Sequence, residues 1–301
     1  MGPALCLLSA ACFGAMAIFG KFAYAAGVQP ATLLLVRFAL AAAVLAALLL
    51  LRPGLRHTAA GPARWTPGLI VTALGLGAVG YATQAGLYFA ALQRMDASLL
   101  SLILYTYPLL VTVAAVLLGR DRLTLGRGAA LGAASGGTLL VLLGTGGVDF
   151  HPAAAVLAFG SAATYTAYIL VADTVVHRLS PVLLAALVMT GAAVTLAVRA
   201  LATGGIDLGF APRGWFWLAC IAVVSTVVAM LTFFAGLRRT GPSTAAILST
   251  FEPVVTTVLA ALTLNEFLTP VQLAGGLLVL SSAAVVQLRP ARPVTAAATA
   301  S

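Results

Sequence analysis

Charged residues are scarce in this sequence. Asp, Glu, Lys and Arg make up 8% of the 301 residues, against about 25% in ordinary globular domains. Hydrophobic residues make up 62%, and the mean hydropathy is +1.10, which excludes a water-soluble fold. The net charge of +9 would suggest nucleic acid as the partner of a soluble protein. Here the basic residues lie in short loops between apolar segments, where they set membrane topology, so we expect a lipid bilayer and no nucleic acid.

The sequence also lacks the motifs of enzymes and of metal or cofactor sites. Its three cysteines, Cys6, Cys12 and Cys220, lie in apolar segments without metal-ligand or CxxC spacing. No GxSxG, HExxH or phosphate-binding loop occurs, which argues against an intramembrane enzyme and against ATP drive. Gly75–Gly80 fits GxGxxG but lies within a hydrophobic helix, where glycines favour close helix packing. We therefore expect no catalytic residue, no metal and no cofactor.

Long apolar segments are what the sequence does contain. Windows of about 20 apolar residues predict transmembrane helices, and the chain has ten of them. We expect the Pro-, Ala- and Thr-rich residues 289–301 to form a disordered cytoplasmic tail. The ten windows are 3–22, 30–51, 67–91, 97–118, 127–145, 152–172, 181–201, 214–236, 242–263 and 270–288.

The chain repeats itself at an offset of 145 residues. The pattern of Tyr88–Arg94 recurs at Phe233–Arg239, and Pro108 has its counterpart in Pro253, since 253 − 108 = 145. Five segments in each copy place the second copy in the bilayer with the opposite orientation, as in the inverted repeats of secondary transporters. We expect residues 3–145 and 152–288 to form two inverted five-helix repeats around a central cavity, in an all-α polytopic membrane protein.

The distribution of basic residues predicts the topology. With the N-terminus inside, eleven Lys and Arg residues fall in the inner loops and four in the outer loops, as the positive-inside rule requires. We expect a multi-pass protein of the plasma membrane, the inner membrane of a bacterium, with both termini cytoplasmic. The sequence is compatible with a monomer or a homodimer.

Six segments carry one polar or aromatic stripe each at helical spacing. Hydroxyls and amides in hydrocarbon need partners, so the stripes predict a shared substrate-binding cavity; for a single Ser or Thr, bonding across a helix interface is the alternative. Segments 2, 5, 7 and 10 are more uniformly apolar and are predicted at the periphery. The stripe residues proposed for substrate binding are Phe13, Met16, Tyr81, Gln84, Tyr88, Tyr105, Tyr165, Tyr168 and Ser249.

Glu252 is an ionisable residue well inside an apolar segment, where charge is costly and usually functional. It lies ten residues beyond Pro242, or about 15 Å along a helix, close to the middle of a hydrocarbon core about 30 Å thick. Its expected role is counter-ion for a cationic substrate group or proton carrier, and a structural carboxyl is the alternative. Tyr107 occupies the matching position of the first copy and joins the predicted site.

Three further residues are candidates for gating. Pro108 and Pro253 each remove a backbone hydrogen bond within an apolar segment, which frees carbonyls and lets the helices flex; a plain kink is the alternative. Arg37 lies seven residues inside the outer end of segment 2. Its guanidinium is interpreted as structural, with a gate or a contact to a substrate carboxylate as the alternative.

These residues resemble EamA-type members of the drug/metabolite transporter superfamily over residues 3–288. The resemblance rests on Arg37-Phe38, on the pattern around Tyr88, on Pro108 followed by Asp121–Thr124, and on Glu252-Pro253 followed by Asn265–Thr269. It implies two five-helix bundles, a cavity lined by helices 1, 3, 4, 6, 8 and 9, and alternating access.

The expected function is therefore secondary, non-ATP transport of small organic solutes. The resemblance favours export or exchange of amino acids or related metabolites. A cationic drug exporter stays open, and so does a membrane sensor or scaffold that has lost transport.

Overall fold

The computed structural model gives a helical chain. Its described residues also include one two-residue antiparallel pair, His57–Thr58 with Gly61–Pro62, in the connection after α2. The predicted tail, residues 289–301, and the first part of the ninth predicted segment, residues 242–247, lie outside the described residues. The residues that the structure describes are 1–58, 61–62, 66–118, 125–143, 151–176, 178–240 and 248–288.

Apolar helices follow one another along the chain. In the first half they are α1 (Gly2–Ala25), α2 (Pro30–Leu51), α3 (Pro67–Gly75), α4 (Ala82–Leu92), α5 (Ala97–Leu104), α6 (Tyr107–Leu117) and α7 (Leu125–Leu143). In the second half they are α8 (Pro152–Val176), α9 (Pro181–Ala202), α10 (Arg213–Ala222), α11 (Ala229–Thr240), α12 (Phe251–Leu264) and α13 (Pro270–Leu288). A 3-10 turn, Pro53–Arg56, follows α2.

Six stretches of the described chain are long and apolar enough to cross a membrane. Three further apolar helices are shorter, among them Phe251–Leu264. The chain is therefore a multi-pass membrane protein. The six long stretches are Gly2–Ala25, Pro30–Leu51, Pro67–Leu92, Pro152–Ala172, Pro181–Ala202 and Arg213–Phe233.

Proline sets the start of several of these helices. Pro30, Pro67, Pro152, Pro181 and Pro270 each occupy a first helical position, where the missing N–H would have no partner within the helix. At the start of α9 the Ser180 side chain also accepts a hydrogen bond from the backbone N–H of Leu183, at 3.2 Å. The sequence thus fixes these helix starts locally.

Four predicted segments are irregular part-way along their length. A π-helical turn, Leu76–Tyr81, joins α3 to α4, and a second, Val223–Val228, joins α10 to α11. Segment 4 is interrupted between Leu104 and Tyr107, which places Pro108 in the first turn of α6. Segment 9 has a turn at Thr250, and Pro253 lies in the first turn of α12. The irregularities lie at similar positions in the two halves.

The two halves of the chain pack into each other. Helix α1 contacts α10, α11 and α12 of the second half, whereas α8 of the second half contacts α4, α5 and α6. Matching helices also meet, since α2 packs on α9 and α7 on α13, and segments 4 and 9 meet where α5 packs on α12. The first helix of each half is therefore surrounded largely by the other half.

Glycine allows the closest of these approaches. A Cβ at Gly77 would meet the backbone carbonyl of Val188 in α9, and a Cβ at Gly191 would meet the carbonyl of Leu74 in α3. In the same run of glycines, a Cβ at Gly75 would have nothing within 4 Å. Gly77 is thus the residue that lets the π turn lie directly on α9.

A polar cluster joins three elements at one end of the helices. Lys21 Nζ in α1 lies 3.7 Å from Glu266 Oε1 in the α12–α13 connection and donates to the Met95 carbonyl at 2.8 Å. Glu266 Oε2 accepts from the backbone N–H of Ala97 at 2.8 Å. The carboxylate thereby binds one of the unpaired N–H groups at the start of α5.

Candidate functional site

A central cavity of about 470 Å³ lies between the two halves. Its volume falls in the range of about 300 to 1,000 Å³ that is usual for small-molecule sites. The structure brings to it all eleven residues predicted for substrate binding and also Arg37. The eleven are Phe13, Met16, Tyr81, Gln84, Tyr88, Tyr105, Tyr107, Tyr165, Tyr168, Ser249 and Glu252. Their role in substrate binding stays a prediction.

Part of the cavity wall escaped the sequence prediction. Leu184 and Met189 of α9 line the cavity, and so does Arg37 of α2, so the assignment of segments 2 and 7 to the periphery is wrong. Met230 and Phe233 of α11 complete the wall. In an apolar helix such side chains do not stand out from their neighbours, and no sequence signal marked them.

Tyr105 joins the interruption of segment 4 to Glu252. Its hydroxyl donates a hydrogen bond to the Ser249 carbonyl and lies 3.0 Å from Glu252 Oε2. The Ser249 carbonyl is the one that loses its helical partner because Pro253, four residues later, has no N–H. The freed carbonyl is thus bound across the cavity by a side chain of the other half.

The hydrogen atoms of this cluster can be counted. A tyrosine hydroxyl has a single proton, and Tyr105 Oη contacts two acceptors, the Ser249 carbonyl and the Glu252 carboxylate. Tyr105 can donate its proton to the Glu252 carboxylate or to the Ser249 carbonyl. When Glu252 carries a proton of its own, it can donate to Tyr105 while Tyr105 donates to Ser249.

A row of tyrosines lines the cavity next to this cluster. Neighbouring rings are 4.8 to 5.9 Å apart between centroids, within the range of favourable aromatic pairs. The row presents an apolar surface with polar hydroxyls, which suits an amphipathic solute. In order of contact the rings are Tyr105, Tyr107, Tyr165, Tyr168 and Tyr81.

Arg37 lies beside the far end of the tyrosine row. Its side chain is 2% exposed; Nε donates to Thr226 Oγ1 at 3.0 Å and Nη2 donates to Tyr81 Oη at 3.2 Å. The guanidinium carbon also lies 5.0 Å from the ring centroid of Phe38 and 5.6 Å from that of Phe89. Both hydrogen-bond partners belong to π turns, Tyr81 to the first and Thr226 to the second.

Gln84 forms hydrogen bonds across a helix interface. Its amide nitrogen donates to Ser161 Oγ at 3.0 Å, and Ser161 Oγ donates to the Gln84 backbone carbonyl at 3.1 Å. These bonds tie α4 to α8. Gln84 therefore lines the cavity while its amide group is engaged in helix packing.

Two opposite charges face the central cavity. Among the described lining residues, Arg37 and Glu252 are the two with charged side chains, and they do not form an ion pair with each other. In the part of the chain that the structure describes, no three His, Cys, Asp or Glu residues are grouped so as to hold a metal ion.

Comparison with known proteins identifies the family. The sequence profile described as the EamA-like transporter family matches residues 1–143 and again residues 152–288. The chain belongs to the EamA-like transporter family. Membership of this family makes it a membrane transporter of the drug/metabolite type, and the family points to transport rather than to catalysis.

Relatives of this EamA-like chain support the assignment. It is 29% identical over 282 residues to the uncharacterized transporter YcbK of Bacillus subtilis. The matched region covers 91% of this chain and 88% of YcbK. A protein of known crystal structure superposes on it with a TM-score of 0.64 at 20% identity, and covers 95% of this chain and 96% of the other. The structural likeness shows the fold alone.

Proposed function

We propose that this EamA-like protein is a secondary transporter that exports or exchanges amino acids or related small metabolites by alternating access. The observation that carries the proposal is the central cavity between the two halves, which combines one carboxylate, one guanidinium and a row of tyrosines. A solute with an ammonium group, a carboxylate and an apolar body matches this lining. The match is chemical and does not depend on the family name.

The proposal includes two five-helix repeats that cross the membrane in opposite orientations. The family profile matches each half separately. The matching helices α2 and α9, and α7 and α13, pack in pairs, and segments 4 and 9 meet through α5 and α12. These pairs support two five-helix repeats of opposite orientation, with residues 3–145 and 152–288 as the units. We infer that both termini lie on the cytoplasmic side of the plasma membrane, as the distribution of basic residues indicates.

Glu252 is the proposed coupling residue. A carboxyl that holds a proton next to Tyr105 in one state can hold the ammonium group of a solute in another, and it cannot hold both. Proton and solute would then leave the cavity alternately, which makes the protein a proton-driven exporter. The Tyr105 hydroxyl can donate to the Glu252 carboxylate, or can accept from a protonated Glu252 while it donates to the Ser249 carbonyl.

Uptake into liposomes tests the proposal. We expect the purified protein, reconstituted and loaded with unlabelled L-phenylalanine, to take up labelled L-phenylalanine in exchange. Glu252→Gln removes the counter-charge while keeping the shape of the side chain, and should lower the exchange rate by at least about tenfold, since a hydrogen bond to a charged group contributes about 1.5 to 3 kcal/mol.

Asp207→Asn is the matched control, because it removes one acidic charge at an exposed position away from the cavity. It should exchange L-phenylalanine at the wild-type rate. Equal exchange by Glu252→Gln and wild type over a range of pH would show that Glu252 is structural. Absence of exchange for every amino acid offered would remove the amino-acid assignment.

A cationic drug exporter is the second candidate, and one observation favours it. Glu252 stands at one end of a row of aromatic rings, and a carboxylate with aromatic faces binds organic cations. Uptake of tetraphenylphosphonium, with no uptake of amino acids, would select this function. Binding of solutes without uptake of any would favour a sensor or scaffold.

A further inference from the structure

Arg37 is a buried cation whose charge is not neutralised within the described part of the chain. Its side chain is 2% exposed, and no described carboxylate lies within ion-pair distance of it. The partners that it does have are two hydroxyls and the faces of aromatic rings. Neutral partners of this kind reduce the free-energy cost of placing a charge in hydrocarbon, but they supply no negative charge to balance the guanidinium.

The guanidinium also keeps hydrogen-bonding capacity in reserve. Of its five N–H donors, one on Nε goes to Thr226 and one on Nη2 goes to Tyr81. The remaining three N–H bonds find no acceptor among the described residues. Because Arg37 lines the central cavity, these donors are placed for a ligand in it.

The protein holds the side chain in a fixed position. The Thr226 hydroxyl that accepts from Arg37 Nε itself donates to the Ile221 carbonyl at 2.9 Å, which leaves its lone pairs towards the guanidinium. The Phe38 ring on one side and the Phe89 ring on another confine the planar group. An arginine whose position is fixed in this way binds a carboxylate with two parallel hydrogen bonds at little entropic cost.

We propose that Arg37 binds the carboxylate of the transported solute and that, together with Glu252, it makes the cavity selective for zwitterions over simple cations. The inference rests on the proposed function and names a second recognition point within its site. The charges of the lining residues support it, because one Arg and one Glu are balanced by a molecule with one ammonium and one carboxylate. A dianion such as phosphate would meet the Glu252 carboxylate with excess negative charge.

Three probes of similar shape test the ammonium group and the carboxylate of such a solute one at a time. L-phenylalanine has both charged groups, 2-phenylethylamine lacks the carboxylate, and 3-phenylpropionate lacks the ammonium group. Their affinities for the full-length protein in lipid nanodiscs are measured by calorimetry, for the wild type and for each variant.

Arg37→Gln should weaken the binding of L-phenylalanine and of 3-phenylpropionate by about tenfold to a hundredfold, which is the usual effect of losing a charge-assisted bond. The same variant should bind 2-phenylethylamine within about twofold of wild type, because that probe has no group for Arg37 to bind. Glu252→Gln should show the reverse order, with the largest loss for 2-phenylethylamine.

Two further variants keep the test decisive. Arg37→Lys retains the charge without the planar fork, and should show an intermediate loss for the two carboxylates; it also replaces Arg37→Gln if that variant does not fold. Arg52→Gln removes one positive charge at an exposed position and should bind all three probes as wild type does.

Different failures have different meanings. Equal weakening of 2-phenylethylamine and L-phenylalanine by Arg37→Gln would show that Arg37 supports the fold of the cavity, and would overturn the inference. Undiminished L-phenylalanine binding by Arg37→Gln, with loss by Glu252→Gln, would overturn the inference and leave the proposed function standing. Wild type that binds neither carboxylate probe would overturn the inference together with the amino-acid assignment.

Discussion

At the scale of single residues, Tyr105 links the two halves of the molecule through one oxygen atom. Its hydroxyl meets the Ser249 carbonyl and the Glu252 carboxyl, both from the second half. Replacement by Phe keeps the ring and removes the hydroxyl that contacts the Ser249 carbonyl and the Glu252 carboxyl. The hydroxyl therefore has two separable roles, one in stability and one in holding Glu252 in position.

We predict that Tyr105→Phe loses about 0.6 to 1.7 kcal/mol of stability, which are the average and the largest value measured for hydrogen bonds between membrane helices. We also expect L-phenylalanine affinity to fall roughly threefold to tenfold, because Glu252 loses a neighbour that positions it. Tyr24→Phe is the control, since the Tyr24 hydroxyl donates to the Phe89 carbonyl at 2.8 Å and Tyr24 does not line the cavity. It should lose similar stability with unchanged affinity, and a matching loss of affinity would contradict the assigned role of Tyr105.

At the scale of elements, the contact between the first π turn and α9 depends on the absence of a side chain. A Cβ at Gly77 would collide with the Val188 carbonyl, which belongs to a helix backbone that cannot move aside on its own. At Gly75, two residues earlier, a Cβ would have nothing within 4 Å. The pair gives a test of helix approach within one turn of helix.

We predict that Gly77→Ala destabilises the protein by about 1 to 3 kcal/mol, as overpacking does. Gly75→Ala should be neutral or should stabilise it by up to about 1 kcal/mol, because Ala is the better helix former. Unfolding in detergent by chemical denaturant measures both. Equal effects of the two substitutions would mean that α9 does not lie as close to the π turn as the structure places it.

Another element-scale prediction concerns the cluster of Lys21, Glu266 and Ala97. Burial raises the pKa of Glu266 above its ordinary value, while Lys21 and the Ala97 N–H act in the opposite direction. A carboxyl whose pKa is raised on folding binds its proton more tightly in the folded state, so its contribution favours folding at low pH and is lost as pH rises through the raised pKa.

Lys21→Gln removes the charge that offsets this burial. We predict that it lowers the unfolding midpoint at neutral pH and that the deficit shrinks on acidification towards about pH 4, where Glu266 is protonated. The double variant Lys21→Gln with Glu266→Gln is compared with Glu266→Gln alone. Because both proteins lack the carboxyl, the difference between their unfolding midpoints should not shrink on acidification. A deficit of constant size in the Lys21→Gln protein would show that the ion pair does not couple to the titration of Glu266.

At the scale of the whole molecule, neither half has a complete surface of its own. Helix α1 lies against α10, α11 and α12, and α8 lies against α4, α5 and α6. A separated half would expose the faces that these contacts cover, together with half of the cavity wall. Folding of the halves should therefore be coupled.

We predict that residues 1–147 and 148–301, expressed as two chains in one cell, copurify and bind L-phenylalanine. Each half expressed alone should give at most a small fraction of that yield. Affinity purification through a tag on one half, followed by calorimetry, measures both results. Cooperative unfolding of a single half at the midpoint of the full chain would contradict the mutual dependence of the halves.

The residues that the sequence predicts for substrate binding could be singled out because they contrast with their surroundings. A tyrosine, a serine or a glutamate in an apolar helix is a visible exception, and the eleven predicted residues all reach the cavity. Leu184 and Met189 do not differ in type from the lipid-facing residues of α9, so only packing distinguishes them. Arg37 was visible, but the uniform character of its helix concealed that it faces the cavity.

Details of the helices were less accessible from the sequence. The windows 67–91 and 214–236 each predict one continuous helix, and hydrophobicity does not record whether a turn closes with the α or the π hydrogen-bond pattern. Gly75 and Gly77 are the same residue type in the same window, yet Gly77 is the one that contacts α9. The difference depends on which face of the helix α9 crosses, which is a tertiary property.

Conversion of either π turn to the α form would change the cavity without breaking a helix. Each turn contains one residue more than an α-helical turn would, and its relaxation to the α form rotates the helix beyond it by about 100° with a shift of about 1.5 Å. Tyr81 and Thr226, the two anchors of Arg37, lie one in each turn. A change of winding in either helix would therefore move Tyr81 or Thr226 away from the guanidinium. Arg37 would then be held less firmly and would bind a carboxylate more weakly.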